Sequence, residues 1–223
     1  MNMADQSIGE LARDIPGATA VFHAHQLDFC CGGKHSLRDA AAQRGVDIDA
    51  VLAELERIQH KPTPENPFQQ LSDEELVEHI LDRFHDVHRE QLPELIRLAQ
   101  RVERVHGGHP DCPSGLAAKL ERMLAELEAH MEKEEKILFP MITRDMHPMA
   151  FAPIQMMRSD HTDHGEALAE VIATAHGLEL PSGACNTWRA LYNGLAEFQM
   201  DLMEHIHLEN NVLFDRIERT ARG

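Results

Sequence analysis

Residues 85–96, HDVHREQLPELI, and residues 161–172, HTDHGEALAEVI, read as two copies of one segment. His85, His88, Glu90, Leu92, Glu94 and Ile96 return in register as His161, His164, Glu166, Leu168, Glu170 and Ile172. A second pair follows the same rule. Residues 126–142, ELEAHMEKEEKILFPMI, match residues 201–217, DLMEHIHLENNVLFDRI, with His130 and Glu134 falling on His205 and Glu209. Self-similarity over tens of residues marks a duplicated structural unit. The apolar positions within each copy recur at three and four, which is helical spacing. The expectation is an all-α fold: an antiparallel four-helix bundle in which one helix pair is related to the other by an approximate two-fold axis.

Working outward, helix ends are legible in the flanks. Ser72-x-x-Glu75 is a capping box that opens the first bundle helix, expected to run to about Arg104 with a kink at Pro93. The second helix is expected from about Ser114 to Arg144, the third from about Pro153 to His176 with Gly177 as its stop, and the fourth from about Thr187 to Arg219. Ahead of the bundle, residues 61–71, KPTPENPFQQL, are rich in proline and read as a linker. Domain boundaries of 1–60, 61–71 and 72–223 follow. The front part reads as short helices over ATAVFHAHQLD, SLRDAAAQR closed by Gly45, and DIDAVLAELERI opened by Asp47.

Composition excludes some classes of function. The formal charge of −17, from 38 acidic and 21 basic residues, repels phosphate backbones and leaves no basic face for nucleic acid. No apolar run approaches a membrane span, and the opening MNMADQSIGELARD is acidic without a signal-like core. Four cysteines, two of them adjacent, form no disulfide framework for a chain of 223 residues. The expected location is the cytoplasm.

The chemistry lies in the repeat. In His-x-x-x-Glu the two side chains sit one above the other on a helix, so both reach one point. Roughly two such pairs are expected by chance in a chain of this composition. Chance does not place one on each of two duplicated helices, nor add a matching histidine to each of the other two. The apolar neighbours of His130 and Glu134, namely Leu127, Ile137, Leu138 and Met141, set those ligands on the core face. His85, His130, Glu134, His161, His205 and Glu209 are therefore expected to converge in the interior, where unpaired carboxylates are costly and two cations would balance the charge. On this reading each half of the repeat donates two histidines to its own metal, and Glu134 and Glu209 bridge ions about 3.5 to 4 Å apart. Nitrogen and oxygen donors without thiolate favour iron, with manganese and zinc as competitors that ligand type alone does not exclude. Four protein ligands per ion leave room for an oxo or hydroxo bridge and a small exogenous molecule. Glu126 and Asp201, four residues before His130 and His205, are candidates to orient those imidazoles, as is Asp160 beside His161.

Taken together, HREQLPELI, KEEKILFPMI, LENNVLF and the front segments SIGELARDIPGATAVF and DFCCGGK resemble the hemerythrin-like proteins, and more closely the di-iron "repair of iron centers" proteins. The resemblance implies two non-haem, carboxylate-bridged irons on those six residues. It also implies a stress-response role in which iron-sulfur clusters damaged by nitric oxide or peroxide are restored by donated iron, with iron-sulfur proteins or cluster scaffolds as recipients. One departure is visible: oxygen carriers place a further ligand histidine where this chain has Gly165, with His164 one residue early, so the iron is expected to be loosely held. Alternatives are a redox enzyme that reduces nitric oxide or peroxide, an oxygen or nitric oxide carrier or sensor, and a bundle stabilised by zinc. Cys30 and Cys31 are too close along the chain for an unstrained disulfide and are candidates for soft-metal binding or redox exchange.

Overall fold

A computed structural model describes residues 2–59 and 67–222; most of the proline-rich stretch 61–71 lies outside the described residues. The described residues form helices and no β-strand, apart from an isolated bridge between Ser7 and Ser36. They divide into two compact units: residues 1–78, 141–154 and 203–223 in one, and residues 79–140 and 155–202 in the other.

In the first unit, α1 (Ile8–Asp14), α2 (Ala18–Ala24), α3 (Leu37–Arg44) and α4 (Ile48–Gln59) pack around Ile8, Phe22, Leu27, Leu37, Val51 and Leu55, all fully buried. Three of these answer the expected short helices, and α1 adds one. Ser7 and Ser36 cap α1 and α3 by accepting from the backbone N–H three residues on. Gly45 ends α3 at φ 67°, a left-handed conformation that glycine adopts without Cβ strain.

Four long helical rods follow. The first, α5, comprises Asp73–Ile80, Leu81–His85 and Asp86–His106; the second, α6, comprises Leu116–Lys133, Glu134–Leu138 and Phe139–Thr143. The third, α7, is His147–Thr174, and the fourth, α8, comprises Asn186–His207, Leu208–Leu213 and Phe214–Arg222. The capping box forms as expected: Ser72 Oγ accepts from Glu75 N at 3.2 Å while Glu75 Oε2 accepts from Ser72 N at 2.8 Å. Helix α7 begins six residues before the expected Pro153, because Pro148 sits in the first turn, where a missing N–H costs nothing.

Within the second unit, the facing stretches of the four rods form a helical bundle. Its core is Leu92, Leu95, Ala99, Leu120, Met123, Leu127, Leu168, Val171, Leu191, Leu195 and Phe198. Gly194 lets α8 approach α5 closely, since a Cβ there would stand 2.9 Å from Leu95.

Segments Leu81–His85, Glu134–Leu138 and Leu208–Leu213 are π-helical turns inside otherwise α-helical rods. A π-turn takes an extra residue and so shifts the buried face by one position. On α6 the stripe therefore continues through Leu138, Phe139 and Ile142, all buried, and Ile137, expected in the core, is 49% exposed.

Candidate metal centre

In the second unit α5 supplies His85 at the end of its π-turn, α6 supplies His130 and Glu134, and α7 supplies His161; all four are buried. Glu134 Oε2 stands 3.3 Å from His130 Nε2 and 3.5 Å from His85 Nε2. His130 Nε2 and His161 Nε2 are 3.1 Å apart. Two atoms that each lie about 2.1 Å from one ion are separated by about 3.0 Å in an octahedron and about 3.4 Å in a tetrahedron. The two spacings at His130 fall in that range and the His85–Glu134 spacing lies just above it, so the donor set fits metal coordination closely. In the first unit, α8 holds a buried His205–Glu209 pair with Nε2 and Oε1 3.2 Å apart, the same helical geometry as His130–Glu134.

Residues 76–217 match the family model of the hemerythrin HHE cation binding domain. The chain belongs to this hemerythrin family. Residues 4–59 match a second model, a domain of unknown function, DUF542. The iron-sulfur cluster repair proteins YtfE of Yersinia pseudotuberculosis serotype O:1b (strain IP 31758) and of Yersinia pestis (strain Pestoides F) are each 52% identical to it over 219 residues, covering 98% of this chain and 99% of theirs.

The pairing of imidazoles in this hemerythrin-family chain differs from the sequence expectation. His130 faces His161, from the other half of the repeat, whereas the expectation joined the two histidines of each half. The reason lies in packing: neighbouring rods bring together residues at the same level of the bundle, whichever copy of the repeat they come from.

The ring nitrogens away from the cluster are held by carboxylates. His85 Nδ1 lies 2.8 Å from Glu135 Oε1, and Arg89 bonds the same oxygen at 2.8 Å. His130 Nδ1 lies 3.3 Å from Asp160 Oδ2, which also accepts from Lys133 at 2.6 Å. Burial on its own would raise Glu135, but hydrogen bonds from His85 and Arg89 outweigh it and hold the carboxyl below its ordinary range. Asp160 is lowered in the same way: burial opposes, and the hydrogen bonds from Lys133 and His130 prevail. An ionised carboxylate on Nδ1 keeps the proton there and turns Nε2 toward the cluster as an acceptor.

Among the three candidates for orienting imidazoles, only Asp160 touches a ring. Glu126 is exposed and stands 3.9 Å from Arg122 Nε, because its position on α6 faces solvent. Asp201 is buried, but its oxygens accept from Arg83 at 2.6 Å and Gln91 at 2.7 Å, tying α8 to α5. Glu135 was not anticipated; its signal was Arg89, which follows His85 by four residues on the same face of α5. His164 is buried with its ring perpendicular to His130 at 4.8 Å between centroids, and its Nδ1 finds no hydrogen-bond partner. Burial, with the His130 and His161 rings alongside, pushes its pKa down to about 3, so the ring is neutral.

Past Glu209, α8 meets the Cys30–Cys31 loop of the same unit. Asn210 Nδ2 donates to Cys30 O at 3.2 Å, and Asn211 Nδ2 donates to Phe29 O at 3.1 Å and lies 3.0 Å from His207 Nδ1. The Phe29 ring meets the edge of His207. Cys30 is buried, and its hydrogen bond with Cys31 together with burial raises its thiol well above the ordinary value, so it stays protonated. Among the described residues the four cysteines form no disulfide.

Proposed function

We propose that this chain is a cytoplasmic di-iron protein that restores damaged iron-sulfur clusters by giving up iron from its bundle. On this reading, which rests on the repeat in the sequence, His85, His130, Glu134, His161, His205 and Glu209 would hold two ions, with both glutamates shared. The observation that carries the proposal is the buried cluster of imidazoles around Glu134, in a chain similar over nearly its whole length to proteins named for cluster repair.

Iron is the cargo here, and when bound it supplies the labile ferrous ion that a damaged cluster needs. The protein's own groups do the holding. Glu135 and Asp160 fix the tautomers of His85 and His130 and keep Nε2 of each aimed inward. Gly165 stands where oxygen carriers place a further imidazole, and His164, one residue away, packs its ring perpendicular to His130. Fewer imidazoles mean weaker retention, which suits release over reversible oxygen carriage. A reducing compartment agrees with four cysteines that make no disulfide among the described residues. No helix among the described residues is long and apolar enough to cross a membrane.

The test is transfer. Metal analysis of anaerobically purified protein should give two irons per chain, and the loaded protein should restore activity to an iron-sulfur enzyme damaged by nitric oxide or peroxide. Equal restoration by the metal-free chain, or none by the loaded chain where free ferrous iron succeeds, refutes donation.

A further inference from the structure

The loop that carries Cys30 and Cys31 holds a second set of donors, of softer chemistry than the imidazoles. Asp28, Cys30 and Cys31 each offer one ligand atom, and these atoms lie within 4.8 Å of one another. Cys30 Sγ is 3.7 Å from Cys31 Sγ and 3.2 Å from Asp28 Oδ1. For tetrahedral coordination with metal–sulfur bonds of about 2.3 Å and metal–oxygen bonds of about 2.0 Å, the edges are about 3.8 Å between sulfurs and about 3.5 Å from sulfur to oxygen. A linear two-sulfur site needs about 4.6 Å, the sum of two such bonds. A disulfide needs about 2.05 Å. The loop is spaced for tetrahedral chelation and for neither of the others.

The spacing is built in. Asp28 Oδ1 accepts from the backbone N–H groups of Cys30 at 3.1 Å and Cys31 at 2.9 Å, and Oδ2 accepts from Gly32 at 3.0 Å, so the carboxylate is anchored within its own loop. The carbonyls of Phe29 and Cys30 are held by Asn211 and Asn210. A Cβ at Gly33 would stand 2.7 Å from Asn211 Oδ1, and one at Gly32 would stand 3.0 Å from Asp28 O. The two glycines are thus what lets the thiols lie down against this frame. Cys31 and Asp28 are partly exposed, which gives an ion a way in.

We propose that Asp28, Cys30 and Cys31 form a three-donor site for a borderline-soft divalent cation of the zinc type, with its fourth position open to solvent. Binding releases the two thiol protons to water, and two thiolates and one carboxylate then face the dication. Three donors with an open position describe a site that loads and unloads, unlike the closed four-ligand sites that hold structural zinc.

The test uses the reduced full-length chain and Co(II) as a spectroscopic probe. Imidazole and carboxylate donors give no thiolate-to-cobalt charge transfer, so a near-ultraviolet band of that kind reports sulfur alone. The band should grow to saturation with added Co(II), persist in the Cys112→Ala/Cys185→Ala double variant, fade on addition of Zn(II), and be lost in Cys31→Ser. No sulfur band in the unaltered chain, or a band that survives in Cys31→Ser, overturns the site. Should Cys31→Ser fail to fold, alkylation of the unaltered chain decides: Zn(II) should protect Cys30 and Cys31 at least tenfold by peptide mass analysis, and equal labelling with and without Zn(II) overturns the proposal.

Discussion

Asn211→Ala tests how the Cys30–Cys31 loop is held. The Asn211 amide donates to Phe29 O at 3.1 Å and lies 3.0 Å from His207 Nδ1, in a site where Asn211 itself is 6% exposed and His207 2%. Alanine leaves His207 Nδ1 without its donor while Phe29 O keeps the His207 ring, so the loop should lose about 1–3 kcal/mol of its resistance to opening. Cys30, buried and protonated, reacts with alkylating reagent only when the loop opens, so its labelling rate reports that free energy directly. The expected acceleration runs from about fivefold to about 150-fold. Gly33→Ala supplies the control. Its new Cβ meets Asn211 Oδ1 at 2.7 Å and Phe29 O at 3.0 Å, an overpacking worth about 1–3 kcal/mol, of which the Asn211 part disappears in the double variant. The double variant should therefore be less destabilised than the sum of the two, by about 1 kcal/mol or more. Labelling of Asn211→Ala within threefold of the unaltered chain, or strict additivity with Gly33→Ala, refutes the clamp.

Three further outcomes are expected. Glu135→Gln removes the charge on His85 Nδ1 and should weaken iron retention about 10- to 100-fold in chelator competition, and unchanged retention would show that Glu135 does not orient the ring. Glu209→Ala should lower iron content at both positions, since the proposed assignment shares it, whereas His85→Ala should first empty one; equal iron loss in both variants would count against sharing. His207 carries a pKa pushed down to about 4, chiefly by burial and then by Arg13, with a Phe29 backbone hydrogen bond opposing. The unfolded chain takes up that proton near 6.5, so stability is complete above about pH 6.5 and is lost as pH falls toward about 4, by about 3 kcal/mol in total. Urea midpoints of the metal-free protein across that window check this, and a slope unchanged by His207→Gln would refute the assignment.

The legible parts of the molecule are those where residue type and spacing carry the physics. The duplication showed in the text because each copy had to keep the same apolar stripe and the same inward donors, and the capping box showed because Ser72 and Glu75 satisfy each other's backbone groups locally. Partners across helices were harder to see. Asp201 sits one turn before His205 and looks like an orienting acid, but Arg83 and Gln91 on α5 claim it. Glu126 occupies the corresponding place on α6 and faces solvent. Glu135, beside Glu134, closes on His85 with Arg89 bonded to the same oxygen. Which acid serves which ring depends on how two rods are rotated against each other, and no single helix encodes that.

The π-turns are where the two levels meet. A helix of constant period that places His130 and Glu134 on the core face would next bury Ile137, Leu138 and Met141; a turn with one extra residue buries Leu138, Phe139 and Ile142. The residues on either side of the turn can then both point inward: polar donors before it, large apolar side chains after it. Leu81–His85 does the same on α5, ending on His85, and Leu208–Leu213 contains Glu209 on α8. Such turns have poorer hydrogen-bond geometry than the α-helix and need a compensating gain. Three of the four rods place a buried donor within a π-turn, while α7, which carries His161, is α-helical throughout. The turns therefore go with the donors on α5, α6 and α8, and removing one residue from such a turn would rotate everything beyond it by about a third of a turn relative to the donors.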